Sequence, residues 1–122
     1  MATAPVDRVH LERLATRFGA HFLIQLIDLF IAQGRERLAA AEQGVAAGDV
    51  AVVIAAAHAL KSSAGNLGAA SLGECAAEVE RRGNNGASVE TLAPMVATLT
   101  DLFAAACAVL EAMRLDVERR MA

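Results

Sequence analysis

The segment around His58 contains the residue types of this sequence that could take part in chemistry. Lys61, the only lysine in the chain, follows His58 after one helical turn, and Ser62 and Gly65 continue at helical spacing. An imidazole can act as a nucleophile, as a general base or as a metal ligand, or it can be an ordinary solvated surface group. The residues around His58 decide among these roles.

Metal binding and hydrolase chemistry find little support around His58. His10, His21 and His58 are scattered, and no pair of histidines or cysteines has the one-turn spacing of a helical metal site. Ser62 could pair with His58 as nucleophile and base, but we expect no acidic residue near enough to orient the imidazole, and no oxyanion site is apparent. No glycine-rich phosphate-binding loop is present, so ATP binding is not predicted. The sequence therefore predicts no metal or cofactor on this chain.

The helix that carries His58 is predicted to span about residues 50–66 and to stop at Gly68. Six of its positions share one face and should be buried: Val53, Ala56, Ala57, Leu60, Ala64 and Leu67. His58 lies roughly 150° from the centre of that face, so it should point into solvent. Its neighbours there are small, whereas solvent faces usually carry long charged side chains. Gly65, which costs about 1 kcal/mol relative to alanine inside a helix, would let another backbone approach closely.

The composition predicts a single all-α domain over residues 1–122. The chain is 56% hydrophobic but only 3% aromatic, and much of the apolar fraction is alanine, the best helix former. A high apolar fraction excludes intrinsic disorder, and the shortage of β-branched and aromatic residues argues against an all-β fold. A chain of this length can bury a substantial core.

Charge and hydropathy exclude further classes of protein. The net charge of −3 argues against a nucleic-acid partner. Alanine produces the positive mean hydropathy of +0.42, and the longest unbroken apolar stretch, 102–110, is about half of a membrane span. The N-terminal residues do not resemble a signal peptide, so we expect a cytoplasmic protein with no membrane partner. Cys75 and Cys107 are expected to be reduced, buried thiols.

Glycine, proline and capping residues divide the chain into five predicted helices. These helices cover approximately residues 6–17, 21–46, 50–66, 71–83 and 88–119. Gly48 and Asp49 should form a left-handed helix end followed by an N-cap, and residues 71–74 resemble a capping box, although the fourth helix could begin earlier, at residue 69. Pro94 leaves two possibilities open: a short turn before the last helix, or a bend within it. Short connections between long amphipathic helices predict an antiparallel up-down four-helix bundle with an additional short N-terminal helix.

Residues 57–69, with the sequence AHALKSSAGNLGA, resemble the signature of histidine-containing phosphotransfer (HPt) domains, H-x-L-K-[GS]-S-[AS]-x-x-[LFV]-G-A. Every defined position of that signature is satisfied. The similarity extends over roughly residues 20–83, and the last helix matches only in its periodicity.

The resemblance implies a phosphorelay intermediate built as a four-helix bundle. It implies that His58 is the phosphorylated histidine, that Lys61 is its basic neighbour and that Gly65 is the small residue one turn further. The implied reaction takes a phosphoryl group from a receiver-domain aspartate and passes it to another receiver domain. The implied partners are response-regulator receiver domains and a (hybrid) histidine kinase, with Mg²⁺ supplied by the receiver. We expect a monomeric phosphocarrier, not an enzyme.

A docking surface for the receiver is predicted around His58. Its residues would be Ile54, Ala55, Ser62, Gly65 and Asn66, which leave a low surface with an apolar edge. Ser62 and Asn66 could donate hydrogen bonds to phosphoryl oxygens.

Other functions remain open from the sequence. The main alternative is a helical protein-interaction module that is never phosphorylated. The chain could also be the phospho-accepting domain of a chemotaxis-type kinase, although its length leaves no room for kinase or dimerisation domains. A membrane-surface helix protein is disfavoured, because no helix face is rich in lysine or arginine.

Overall fold

The computed structural model describes residues 4–121 and contains five α-helices in this range. They are Arg8–Phe18 (α1), Ala20–Ala47 (α2), Val50–Leu67 (α3), Ala70–Asn84 (α4) and Val89–Met121 (α5). No strand occurs between residues 4 and 121. The all-α prediction and the number of helices are confirmed.

The four longer helices pack around one apolar core. α3 lies between α2 and α4, α5 closes the bundle against α2 and α4, and α1 packs on α2. Each of the four contributes fully buried leucines, including Leu23, Leu60, Leu72 and Leu99. Since burial of apolar side chains is the main driving force for folding, this shared core holds the helices in register.

The α2–α3 connection has the predicted geometry. Gly48 adopts the left-handed conformation (φ 70°, ψ 25°), and its N–H donates to the carbonyls of Gly44 and Val45. The Asp49 carboxylate then accepts a hydrogen bond from the Val52 N–H at 3.3 Å and caps α3. Because this connection is so short, α2 and α3 form a tight antiparallel hairpin.

Two boundaries differ from the sequence predictions, and the start of α4 follows the earlier of the two starts that the sequence left open. The capping box at 71–74 is absent: α4 starts at Ala70, and the Gly73 N–H bonds to the Ala69 carbonyl at 3.0 Å. α1 begins at Arg8, because the Asp7 carboxylate caps it by accepting from the His10 N–H. α4 continues to Asn84 through part of the expected turn.

Pro94 lies inside α5, which is one helix from Val89 to Met121. Ser88 precedes this helix, and its hydroxyl oxygen accepts a hydrogen bond from the Thr91 N–H at 3.3 Å. The question that the sequence left open is thus resolved in favour of a helix that includes Pro94, at the cost of one backbone donor.

By length and composition alone, α3 and α5 are each long and apolar enough to cross a membrane. In the bundle, Val53, Leu60, Leu99 and Leu110 are fully buried, whereas Val52 and Leu115 are exposed. The hydropathy of the two helices is that of alanine-rich core helices packed against other helices.

Candidate functional site

The helix α3 presents the faces that its sequence predicts. Its buried residues are the six expected ones: Val53, Ala56, Ala57, Leu60, Ala64 and Leu67. The His58 side chain is 62% exposed on the opposite side. The prediction that His58 faces solvent is therefore confirmed.

A carboxylate from the neighbouring helix contacts both His58 and Lys61. Glu80 of α4 places Oε2 at 2.5 Å from Nδ1 of His58 and Oε1 at 2.6 Å from Nζ of Lys61. We call these three residues the His58–Glu80–Lys61 cluster. The expectation that no acidic residue lies near His58 was wrong, because the periodicity of one helix does not show what the next helix brings to it.

Glu80 determines which nitrogen of His58 is available. A carboxylate can only accept, so Nδ1 carries the proton and donates it to Oε2. In the neutral ring, Nε2 then has the free lone pair. No protein atom in residues 4–121 hydrogen-bonds to Nε2, and the ring is largely exposed. The cluster therefore presents a nucleophilic nitrogen to solvent in a fixed tautomer.

The charge on Glu80 is stabilised by its partners. The hydrogen bond from Lys61 is the largest influence on the Glu80 carboxyl and lowers its pKa. Partial desolvation opposes this effect, and the hydrogen bond from His58 adds to it. Glu80 is therefore a carboxylate at neutral pH and can hold the Nδ1 proton of His58.

Close packing of α3 against α4 brings Glu80 within reach of His58. Gly83, one turn after Glu80, is buried, and a Cβ built on it would lie 2.6 Å from Cγ1 of Ile54 on α3. Ile54, predicted to edge the docking surface, is half-buried in this contact, and its role in docking stays a prediction.

The other predicted docking residues lie on the exposed side of α3. Ala55, Ser62, Gly65 and Asn66 are all exposed, and a Cβ added to Gly65 would meet nothing within 4 Å. The Ser62 hydroxyl donates to the His58 backbone carbonyl at 3.3 Å. The surface beside His58 is low, as predicted, and the role of these four residues in docking stays a prediction.

His10 is not part of the cluster. Its Nε2 lies 3.0 Å from the backbone carbonyl of Asn66 and ties α1 to the end of α3. Because a carbonyl only accepts, His10 donates this hydrogen bond. His10 therefore has a structural contact, whereas His58 has a nucleophilic nitrogen open to solvent.

The cysteines and acidic residues form no other reactive centre in the part of the chain that the structure describes. Cys75 and Cys107 are free thiols there, and burial raises both pKa values, that of Cys107 to about 11. Within residues 4–121, no three histidine, cysteine or acidic side chains converge as a metal site.

Comparison with known proteins identifies the fold of this chain. The chain resembles the crystal structure of histidine-containing phosphotransfer protein B from Pseudomonas aeruginosa PAO1, with a TM-score of 0.80 and 24% identity over 94% of this chain and 98% of that one. It also resembles the HPT domain of a sensor hybrid histidine kinase from Shewanella, with a TM-score of 0.77 and 14% identity over 90% and 93% of the two chains. At these identities, the likeness establishes the fold. No curated protein sequence matches the chain significantly.

The sequence model of the Hpt domain matches residues 25–118, which is most of the chain. Hpt domains carry out histidine phosphotransfer in phosphorelays, and their partners are in general receiver domains and histidine kinases. They are phosphocarriers and not a family of catalytic enzymes. From the family match and the shared fold, this chain belongs to the Hpt domain family.

Proposed function

We propose that Nε2 of His58 accepts a phosphoryl group from the aspartyl phosphate of one receiver domain and delivers it to the aspartate of another. The observation that carries this proposal is the exposed His58 ring, whose Nδ1 is engaged by Glu80 while Nε2 remains free. Its position in the signature segment 57–69 supports the same assignment.

The transfer requires one bond to form and one to break. The Nε2 lone pair attacks phosphorus, the O–P bond of the acyl phosphate breaks, and its electron pair returns to the receiver's carboxylate. The ring becomes positively charged, because Nδ1 keeps its proton. The Glu80 carboxylate, 2.5 Å from Nδ1, offsets that charge. Delivery to the second receiver is the reverse process.

Lys61 supplies positive charge at the edge of the reacting group. Phosphoryl transfer depends mainly on positioning and on neutralisation of charge, since its transition state is loose. Lys61 is bound to Glu80 at 2.6 Å, and its side chain is 40% exposed. Because the Lys61 ammonium has several N–H donors and is partly exposed, it can interact with phosphoryl oxygens on Nε2 while it keeps its hydrogen bond to Glu80.

The low surface around His58 suits a receiver domain as partner. The receiver must bring its aspartyl phosphate to about 3–3.5 Å from Nε2, and the small exposed residues Ala55, Ser62 and Gly65 leave room for that approach. We also propose a monomeric single domain over residues 1–122 that meets receivers and a histidine kinase in the cytoplasm.

The decisive experiment is phosphotransfer from a receiver. A receiver labelled with [³²P]phosphate, in the presence of Mg²⁺, should transfer label to the protein as an acid-labile, base-stable phosphohistidine. His58→Gln should remain folded, because the side chain is outside the core, and should accept no label. His21→Gln is the matched control, since His21 is also exposed, and it should be labelled normally.

Two outcomes would contradict the proposal. Label on His58→Gln would place the phosphorylated residue elsewhere. A receiver that binds the wild-type protein but never labels it, under conditions in which it labels another Hpt domain, would favour the alternative of an interaction module that is not phosphorylated.

A further inference from the structure

Gly83 allows α4 to approach α3 more closely than any other residue type would. A Cβ at position 83 would lie 2.6 Å from Cγ1 and 3.0 Å from Cδ1 of Ile54. Carbon atoms in contact are ordinarily about 3.5–4.0 Å apart. An alanine side chain would therefore require α4 or Ile54 to move by about 1 Å.

The Ile54 side chain is poorly able to give way. Isoleucine has one strongly preferred χ1 rotamer in a helix, so Cγ1 cannot swing aside without strain. The same Cβ would also lie 3.7 Å from Cδ1 of Leu92 on α5, which is fully buried, so an added methyl group has little free space there.

Glu80 is carried by the same turn of α4. Its carboxylate makes two short hydrogen bonds, at 2.5 Å to His58 and 2.6 Å to Lys61. A displacement of about 1 Å would take both distances beyond the range of good hydrogen bonds. The length of these bonds therefore depends on the approach of the two helices at Gly83.

We propose that Gly83 is a positioning residue for His58: its missing side chain sets the α3–α4 separation that lets Glu80 hold the imidazole in the Nδ1–H tautomer. This inference rests on the proposed function, because the tautomer matters for phosphotransfer through Nε2. Gly83 itself touches neither the imidazole nor the incoming phosphoryl group.

The test uses Gly83→Ala and a control on the same helix. Gly73→Ala places a Cβ 3.5 Å from Cβ of Ala64 on α3, an ordinary contact, so α4 need not move. Neither glycine has a positive φ, and alanine is the better helix former at both positions. The two variants thus differ mainly in the contact that the new methyl group makes with α3.

Nitrogen-15 NMR of the His58 ring reports its tautomer, which would not change if Gly83 only stabilised the fold. Wild type and Gly73→Ala should show the Nδ1–H tautomer, whereas Gly83→Ala should shift towards the tautomer mixture of Glu80→Ala. Phosphotransfer from a receiver should slow by about tenfold in Gly83→Ala, less than the roughly 100-fold that a 1 Å misplacement of reacting groups can cost, because Glu80 acts on the reaction only through His58.

A compensating substitution identifies the contact. In the double variant Gly83→Ala with Ile54→Ala, the branched side chain that meets the new methyl group is removed. The double variant should restore the wild-type tautomer, and it should transfer at the rate of Ile54→Ala alone, since Ile54 also borders the predicted docking surface. If Gly83→Ala fails to fold, the comparison is made in the Ile54→Ala background, where alanine at position 83 should preserve the tautomer and Gly83→Val should disturb it.

Each contrary outcome overturns the proposal. A wild-type tautomer in folded Gly83→Ala would mean that Ile54 yields without moving Glu80. A disturbed tautomer that Ile54→Ala does not rescue would mean that Gly83 acts through another contact. The NMR measurement needs no phosphoryl donor. If the wild-type protein is never labelled, the proposed function is refuted, and the NMR spectra of the Gly83 variants still show whether Gly83 positions Glu80.

Discussion

The α3–α4 and α2–α5 contacts are packed in the same way, but their polar groups differ. In both, a buried glycine on one helix receives a large side chain from a neighbouring helix: Ile54 lies over Gly83, and Phe103 lies over Gly34, where an added Cβ would clash with the ring. Both contacts also carry ionic side chains between the helices. Close approach of two helices is therefore not what distinguishes the proposed site.

The ionic groups differ in what they can do. Between α2 and α5, Arg114 donates two hydrogen bonds to Asp28, at 2.6 and 2.9 Å, and both groups stay charged at neutral pH. Between α3 and α4, the carboxylate of Glu80 engages one permanent cation, Lys61, and one ring that has a free nucleophilic nitrogen. The histidine added to a carboxylate–cation pair is what gives the α3–α4 contact a nucleophilic nitrogen.

The largest difference between the two contacts should appear when each carboxylate is neutralised. Glu80→Gln removes the charge that holds the Nδ1 proton and offsets the phosphorylated ring, so phosphotransfer should fall by about tenfold or more. Asp28→Asn should leave the transfer rate unchanged. Rates from single-turnover labelling would show this, and equal rates in the two variants would mean that Glu80 is only a structural partner.

A second difference concerns the access of a receiver domain to His58. Gly65→Gln adds a long side chain to the open surface beside His58, and transfer from a receiver should fall by about tenfold. Labelling by a small donor such as phosphoramidate should be affected much less, and helix stability should rise slightly. Ala104→Gln, on the exposed side of α5, is the control. Equal losses with both donors would assign Gly65 to the local geometry of His58, and no loss with either would place docking elsewhere.

A smaller effect is expected from the cation of the cluster. Lys61→Ala should slow transfer or shorten the phosphohistidine lifetime by roughly two- to fivefold, the range expected for an exposed ion pair. Its melting temperature should stay close to that of wild type. Arg35→Ala removes a comparable exposed cation from the α2–α5 side, where Arg35 lies 3.9 Å from Glu111. If both variants transfer at the wild-type rate, Lys61 is an ordinary surface charge.

The smallest effect is an acid dependence of stability within α4 itself. Hydrogen bonds from Arg81 and Arg82 lower the pKa of Glu78 from 4.5 to about 2. A carboxyl whose pKa is lower in the folded state than in the unfolded state stabilises the fold at any pH above its unfolded-state pKa. That stabilisation is lost as the pH falls towards the folded-state pKa. At pH values above 5, the melting temperature of wild type should be slightly higher than that of Glu78→Gln. This difference should disappear as the pH falls from 4.5 to 2. A gap that stays constant through this window would rule out the ion pair as its source.

The sequence was sufficient to predict the faces of α3. All six predicted core positions are buried and His58 is exposed, because a continuous helix has a fixed period and one apolar stripe. The turn at Gly48 and Asp49 was equally predictable, since a left-handed conformation favours glycine and a helix start favours a short acidic side chain. These features depend on residues close to one another in the chain.

Glu80 was missed because its contact with His58 comes from another helix. In the same way, a wheel of α3 does not show that Gly83 of α4 packs against Ile54 and leaves it half-buried. One signal was available for Glu80: in an antiparallel hairpin, residues at nearly equal distances from the turn lie side by side, and His58 and Glu80 are almost symmetric about Gly68. Side-chain contacts across the hairpin were beyond the sequence argument, because they depend on the helix separation.

The two contacts also differ in how far along the chain their partners lie, which bears on folding kinetics. His58 and Glu80 are 22 residues apart, whereas Asp28 and Arg114 are 86 apart. Local contacts close small loops and form early, while distant ones bear a larger loop-closure entropy. We therefore expect the α3–α4 hairpin to be largely formed in the folding transition state and α5 to dock late. Substitutions at Ile54 should accordingly give higher φ-values than substitutions at Phe103.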